Sequence, residues 1–219
     1  MASGAMRELG QVMLRQIGSS MKVKRNAMPG VVEITPQRFI DSRGYFTVPF
    51  AKDNFEKNGL HQDFVQDNES FSRKGTFRGL HFQKPPYAQG KLVRVVSGLV
   101  QDIIVDLRVG SPTFKKWDSF YLSAETGNML YVPPGFAHGF VAVEESVFAY
   151  KCTAPYNKES EGGIHWADPD LEITYAMLSS GTVRSTGDFI VSEKDEALGS
   201  LAEYLADPCF IFEDVHSSA

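Results

Sequence analysis

The chain has 219 residues, 42% of them hydrophobic and 22% charged, with a formal net charge of -5. This is an ordinary globular mix, long enough for a sizeable core and too apolar for wholesale disorder. The acidic balance argues against a general nucleic-acid binder, which needs a basic face to neutralise phosphates. A local cluster of Arg and Lys for a small anionic ligand remains compatible with it.

Residues 1–20 end in Gly18-Ser19-Ser20 before a second plausible start at Met21, and read as an extension, a tag or an upstream start outside the fold. Residues 21–219 read as one domain, since β barrels and sandwiches often reach this size as a single unit. From Val31 the pattern becomes short β-rich runs: Val31–Thr35, Tyr45–Phe50, Lys91–Val96, Leu99–Leu107, Trp117–Leu122, Met129–Val132, Phe140–Val143 and Val147–Thr153. Lys84-Pro85-Pro86, Gly110-Ser111-Pro112 and Pro133-Pro134-Gly135 punctuate them. In Leu99–Leu107, alternation puts Ile103, Val105 and Leu107 on one face and Asp102, Ile104 and Asp106 on the other, a mixed polar face that fits solvent or a wet cavity. Phe148, Tyr150 and Cys152 share a face in the same way. Beyond Ile173 the strand signal fades into a Ser/Gly/Thr-rich loop over 175–189, and Leu198, Leu201, Ala202 and Leu205 predict one amphipathic helix over Glu196–Ala206. The expected fold is all-β, a jelly roll with a short C-terminal helix.

Two cysteines, Cys152 and Cys209, are too few for a disulfide framework. No apolar run approaches the roughly 18 residues of a membrane span, and the N-terminus lacks the charged and apolar regions of a signal peptide. The expectation is a cytoplasmic protein with no membrane partner.

The strand-like run Arg78-Gly79-Leu80-His81, upstream of Lys91, carries the chemistry. A histidine accepts a proton near neutral pH, and a lysine on a neighbouring strand holds negative charge as it develops. The pair suits proton abstraction next to a carbonyl.

The motifs Asp41-Ser42-Arg43-Gly44, Phe64-Val65-Gln66-Asp67-Asn68, Arg78-Gly79-Leu80-His81, Gln89-Gly90-Lys91-Leu92-Val93, Pro134-Gly135-Phe136-Ala137-His138-Gly139, Tyr150-Lys151 and Ser192-Glu193-Lys194-Asp195 occur in order between about Pro29 and Asp195. Together they resemble the dTDP-4-dehydrorhamnose 3,5-epimerase family, sugar-nucleotide epimerases with a cupin jelly roll. The resemblance implies a dTDP-linked 4-keto-6-deoxyhexose substrate, no cofactor, no metal and a homodimer in which an N-terminal edge strand completes the partner's site. It also implies His81 as base, Asp195 as its carboxylate partner, Lys91 as stabiliser of the enolate at O4 and Tyr150 as the acid for the opposite face. Arg43, Arg78 and Lys91 would line a diphosphate site. Gln66 and Asn68 would hydrogen-bond sugar or base, Tyr156 would stack on thymine, Glu161 would lie near the nucleotide, and His138 would be a second site histidine oriented by Asp102.

Two features depart from that pattern. Val48 stands where the family's first motif reaches a ligand-contacting glutamate. Strict alternation also puts Arg78 on the face opposite His81, so joint access to one ligand requires a bulge near Gly79. A single-site C3 or C5 epimerase and a non-catalytic sugar-nucleotide-binding cupin are the competing readings. A metal-dependent cupin needs a His-x-His pair, and the five histidines, His61, His81, His138, His165 and His216, supply none.

Overall fold

The structure, a computed structural model, describes residues 21–176 and 189–213. The expected extension over 1–20 and nearly all of the expected 175–189 loop lie outside them.

Two antiparallel sheets face each other. One carries, in spatial order, β1 (Met21–Arg25), β2 (Val32–Pro36), β10 (Met129–Val132), β7 (Lys91–Ser97), β12 (Ser146–Cys152) and β5 (Gln66–Ser72). The other carries β13 (Glu161–Gly163), β6 (Phe77–Gln83), β11 (Phe136–Ala142), β8 (Leu99–Asp106) and β9 (Trp117–Ser123). A separate hairpin joins β3 (Arg38–Asp41) to β4 (Gly44–Thr47), and a short helix, α1, spans Lys52–Lys57. This is the expected jelly roll. No described helix is long and apolar enough to cross a membrane.

Three apolar layers hold it. Between the sheets, Val93, Leu130 and Phe148 meet Ile104, Phe120 and Phe140. Outside the five-stranded sheet, Phe77, Ile103, Val105 and Leu107 pack against Trp166, Tyr175, Phe189 and Tyr204. Outside the six-stranded sheet, Ile34, Leu92 and Met129 lie under Phe55 and Leu60. The alternation expected along β8 is thus observed, with both faces buried: Ile103, Val105 and Leu107 face outward under the C-terminal segment, while Ile104 faces the inter-sheet core beside Asp102.

β1, β3, α1 and β13 lie outside the predicted runs, β4 ends at Thr47 rather than Phe50, and three further elements differ from expectation. The predicted strand Phe140–Val143 begins four residues earlier, because β11 pairs with β8 over all seven residues from Phe136 to Ala142, and Gly139 belongs to it. β5 is polar and β-poor in composition, yet it pairs with β12 over seven residues. The predicted C-terminal helix over Glu196–Ala206 is confined to α3 (Leu201–Ala206), the second of two short helices, after α2 (Glu193–Glu196). Ser200 starts the second with a capping box, accepting from Glu203 N–H at 3.1 Å while its own N–H donates to Glu203 Oε2 at 2.7 Å. That local satisfaction of helix-end groups outcompetes continuation through Gly199.

Candidate active site

A cleft opens between the sheets where β5 and β6 lie at or beside their edges. Its outer chamber, of about 730 Å³, is lined by Gln66, Asn68, Gln89, Tyr156 and Glu161; its inner chamber, of about 270 Å³, by Ser70, Arg78, His138, Phe140 and Phe148. His81, Lys91, Tyr150 and Lys194 line both, so they stand at the waist where the chambers meet.

His81 comes from β6. Its Nε2 lies 2.7 Å from Asp195 Oδ1, although 114 residues separate them, and its side chain is 36% exposed to the cleft. Asp195 is buried in α2, where the Ser192 hydroxyl accepts its N–H, and its second oxygen accepts the Gly79 N–H at 3.2 Å. Burial alone would raise the carboxyl pKa; the hydrogen bond and charge of His81, with the Gly79 N–H and Lys194, override it and hold the group below its ordinary value. Asp195 is therefore a carboxylate at neutral pH. A depressed folded-state pKa stabilises the protein above the unfolded value of about 3.9 and ceases to do so as pH falls through the folded value. Asp195→Asn is expected to cost about 1.5–3 kcal/mol near pH 7, the scale of hydrogen bonds to a charged group, and much less near pH 2. Thermal melts across that range check it, and an equal loss at both ends would refute it.

Lys91 and Tyr150 come from the opposing sheet. Lys91 Nζ lies 6.0 Å from the centre of the Tyr150 ring. Burial pulls the Lys91 ammonium below the ordinary lysine range, against the opposing pull of Cys152 and Asp102. Burial likewise pushes the Tyr150 phenol up, so it remains protonated at neutral pH. Deeper in, His138 Nε2 sits 2.8 Å from Asp102 Oδ2, and both residues are buried. Burial raises the Asp102 pKa, and His138 and Lys91 oppose the rise.

Arg78 and His81 share the inner chamber through the bulge that alternation demanded. His81 lies opposite His138 and Arg78 opposite Phe140, so three steps along β6 match two along β11. Arg78 is held by the Ser72 hydroxyl and the Phe71 carbonyl, each at 3.0 Å. Glu161 is bound to Lys194 at 2.7 and 2.8 Å. Arg43 is not brought to the cleft of its own chain: it sits on the β3–β4 hairpin, paired at 2.6 Å with Asp41, beside exposed Ile40, Tyr45 and Phe46.

Several lining residues escaped the sequence reading, among them Gln83, Lys158, Lys194 and Ser70. Lys194 adjoins Asp195 in its motif, which was the available signal. Ser70 follows Gln66 and Asn68 at a two-residue step along β5, and among the described residues its buried hydroxyl has no hydrogen-bond partner.

Residues 25–203 match the family model for dTDP-4-dehydrorhamnose 3,5-epimerase. The chain belongs to that family. It is 47% identical over 172 residues to the dTDP-4-dehydrorhamnose 3,5-epimerase of Sinorhizobium fredii, covering 78% of this chain and 84% of the relative. Among solved structures, the Legionella pneumophila epimerase in complex with dTDP-4-keto-L-rhamnose superposes with a TM-score of 0.81 at 38% identity, over 89% of this chain and 100% of that one. A 3'-monoepimerase from Streptomyces bikiniensis in complex with dTDP-quinovose matches with a TM-score of 0.72 at 27% identity, over 83% and 88% of the two chains. The expected cupin fold of this epimerase family is the one observed.

Proposed function

We propose that this family member converts dTDP-4-dehydro-6-deoxy-D-glucose to dTDP-4-dehydro-L-rhamnose by enolate chemistry at C3 and C5, with His81 as base and Tyr150 as acid. The observation that carries this reading is the placement of the two groups on opposing sheets: His81 with Asp195 on one wall, Tyr150 and Lys91 on the other. A sugar ring held between them meets a base on one face and an acid on the other, which inversion requires.

His81 removes the hydrogen beside the C4 ketone, and Asp195 orients the ring and stabilises the imidazolium. Negative charge moves onto O4, where the under-solvated Lys91 ammonium has most to gain by pairing with it. Tyr150 then delivers its proton to the opposite face. Arg78 supplies a cation to the diphosphate, and Asn68, His138, Tyr156 and Glu161 form the remaining contacts.

Incubation with dTDP-4-keto-6-deoxyglucose in deuterated water tests this, with deuterium expected at C3 and C5. Label at one carbon alone would make the protein a single-site epimerase, and none would make it a binding protein. Tyr150→Phe is expected to separate the steps: substrate hydrogen still washes out, while inverted product falls by about 10²-fold or more, the lower end for loss of a general acid. Inversion at the wild-type rate would assign the acid elsewhere.

A homodimer accompanies this reading. The six-stranded sheet leaves Phe71 and Val96 exposed, two residues beyond Glu69 and Arg94, which line a groove of about 450 Å³ with Phe50, Leu92 and Met129. A face carrying both charge signs beside apolar residues is suited to a two-fold contact with itself. Such a contact also gives the Arg43 hairpin a second chain to reach. A solution mass of twice the chain mass is expected in sedimentation, and a monomer mass would remove this part of the proposal. A reducing cytoplasmic setting fits the two free cysteines.

A further inference from the structure

Between the end of β12 at Cys152 and the start of β13 at Glu161, the chain crosses from one sheet to the other at the mouth of the cleft. Near the start of this crossing, four consecutive residues, Ala154 to Asn157, are tied by side chains, all of them glutamines. Gln89 Nε2 donates to Ala154 O at 2.7 Å. Gln83 Nε2 donates to Pro155 O at 3.2 Å, and Gln83 Oε1 accepts the Asn157 N–H at 2.9 Å. Gln66 Oε1 accepts the Tyr156 N–H at 2.8 Å.

The three glutamines reach this segment from different directions. Gln66 stands on β5 at the edge of the six-stranded sheet, Gln83 ends β6 in the five-stranded sheet, and Gln89 precedes β7. Gln83 is buried, and its amide also donates to Tyr87 O at 2.7 Å. Gln66 Nε2 is engaged by Asn68 Oδ1 at 2.8 Å. A primary amide both donates and accepts, so it is the side chain able to satisfy a strand-less segment that offers carbonyls and N–H groups in turn. What these bonds hold is a tyrosine: Tyr156 stands 55% exposed on the wall of the outer chamber, its backbone fixed and its ring open to the cleft.

We infer that Gln66, Gln83 and Gln89 form an amide clamp that fixes Tyr156 at the cleft mouth, Gln83 and Gln89 being positioning residues that act on the nucleotide sugar through that ring. This gives Gln66 a role in the loop rather than a free amide for the ligand. The inference rests on the epimerase reading of the cleft. Its energetic basis is preorganisation: a ring already held in place costs less ordering when the ligand arrives. Release of Gln83 would also loosen Asn157, whose side chain accepts the Ser160 N–H at 2.9 Å and so caps the turn leading to Glu161.

A double-mutant cycle on steady-state KM for dTDP-4-keto-6-deoxyglucose tests the clamp. Gln83→Leu and Gln89→Leu are each expected to raise KM about fivefold or more, as is Tyr156→Ala. In the Tyr156→Ala background, either leucine substitution is expected to add less than about twofold, because the ring through which the clamp acts is gone. Should Gln83→Leu fail to fold, Gln89→Leu releases a single bond from a partly buried side chain and reads the same coupling. Effects that multiply in the double variants, or an unchanged KM in the single ones, would overturn the clamp. Absence of ring-hydrogen exchange by the wild-type protein would instead overturn the epimerase reading beneath it.

Discussion

His81→Asn is expected to leave the jelly roll intact and to abolish deuterium incorporation at both ring carbons together. The side chain lies at the cleft waist, partly exposed, so its loss opens no core cavity. Asp195 retains the Gly79 N–H and the nearby charge of Lys194, so the carboxylate keeps part of its support. The fold therefore loses about 1–3 kcal/mol, the scale of one hydrogen-bond partner removed from a buried group. Catalysis loses much more, because asparagine has no basic nitrogen and, of the other residues at the waist, Lys91 and Tyr150 stand on the other sheet while Lys194 is a cation paired with Glu161. General base catalysis contributes about 10²–10⁴-fold, and loss on that scale is expected at C3 and C5 alike. Proton exchange followed by NMR, with circular dichroism to verify folding, reads both quantities. A loss below about tenfold would remove His81 as the base, and unequal losses at the two carbons would require a second one.

How much of this was legible beforehand depended on the kind of signal. Alternation was readable along β8, where it grouped Asp102 with Ile104 on one face; that both faces are buried was not, because β8 lies between two strands and two apolar layers cover it. His81 and Lys91 stood out as candidates because a histidine in an apolar strand is unusual, and both line the cleft. Asp195 was different in kind: nothing local ties it to His81 across 114 residues, and only the order of motifs along the chain linked the two. β5 was illegible because its inward positions, Gln66, Asn68 and Ser70, line a wet cleft and are selected for hydrogen bonding rather than β propensity. β11 was clipped for a related reason. His138 and Gly139 look like loop residues, yet Gly139 is glycine because an added Cβ would lie 2.5 Å from Arg78 O. The late start of the C-terminal helix hid behind its periodicity, since Leu198, Leu201 and Leu205 keep helical spacing across the break. Arg43, expected at the ligand, lies instead on the exposed β3–β4 hairpin, a placement that the spacing of its motif did not reveal.

The bulge that brings Arg78 and His81 together is also where a single methyl group is expected to disturb fold and site at once. Gly79 has φ +130°, a region that L side chains rarely adopt, and a Cβ placed there would lie 2.5 Å from Gly139 Cα and 2.9 Å from His138 O. Both obstacles are backbone, so no rotamer change relieves them. Gly79→Ala must push β6 away from β11 at the His81–His138 pair and carry the Gly79 N–H away from Asp195. Left-handed backbone costs a non-glycine residue about 1–2 kcal/mol, and overpacking adds about 1–3 kcal/mol, so a loss of about 2–5 kcal/mol is expected. At about 2–4 °C per kcal/mol for a chain of this size, Tm should fall by at least about 4 °C. Gly44 separates the two contributions, since it has φ +128° with nothing within 4 Å of its added Cβ. Gly44→Ala should therefore show the backbone cost alone and leave the His81–Asp195 pair in place, whereas Gly79→Ala should lose more stability and at least about tenfold in ring-hydrogen exchange, as expected when a base is displaced. Equal melting shifts in the two variants, with exchange retained in both, would mean that β6 can yield at this point and that the close approach of Gly79 to Gly139 does not set the position of His81.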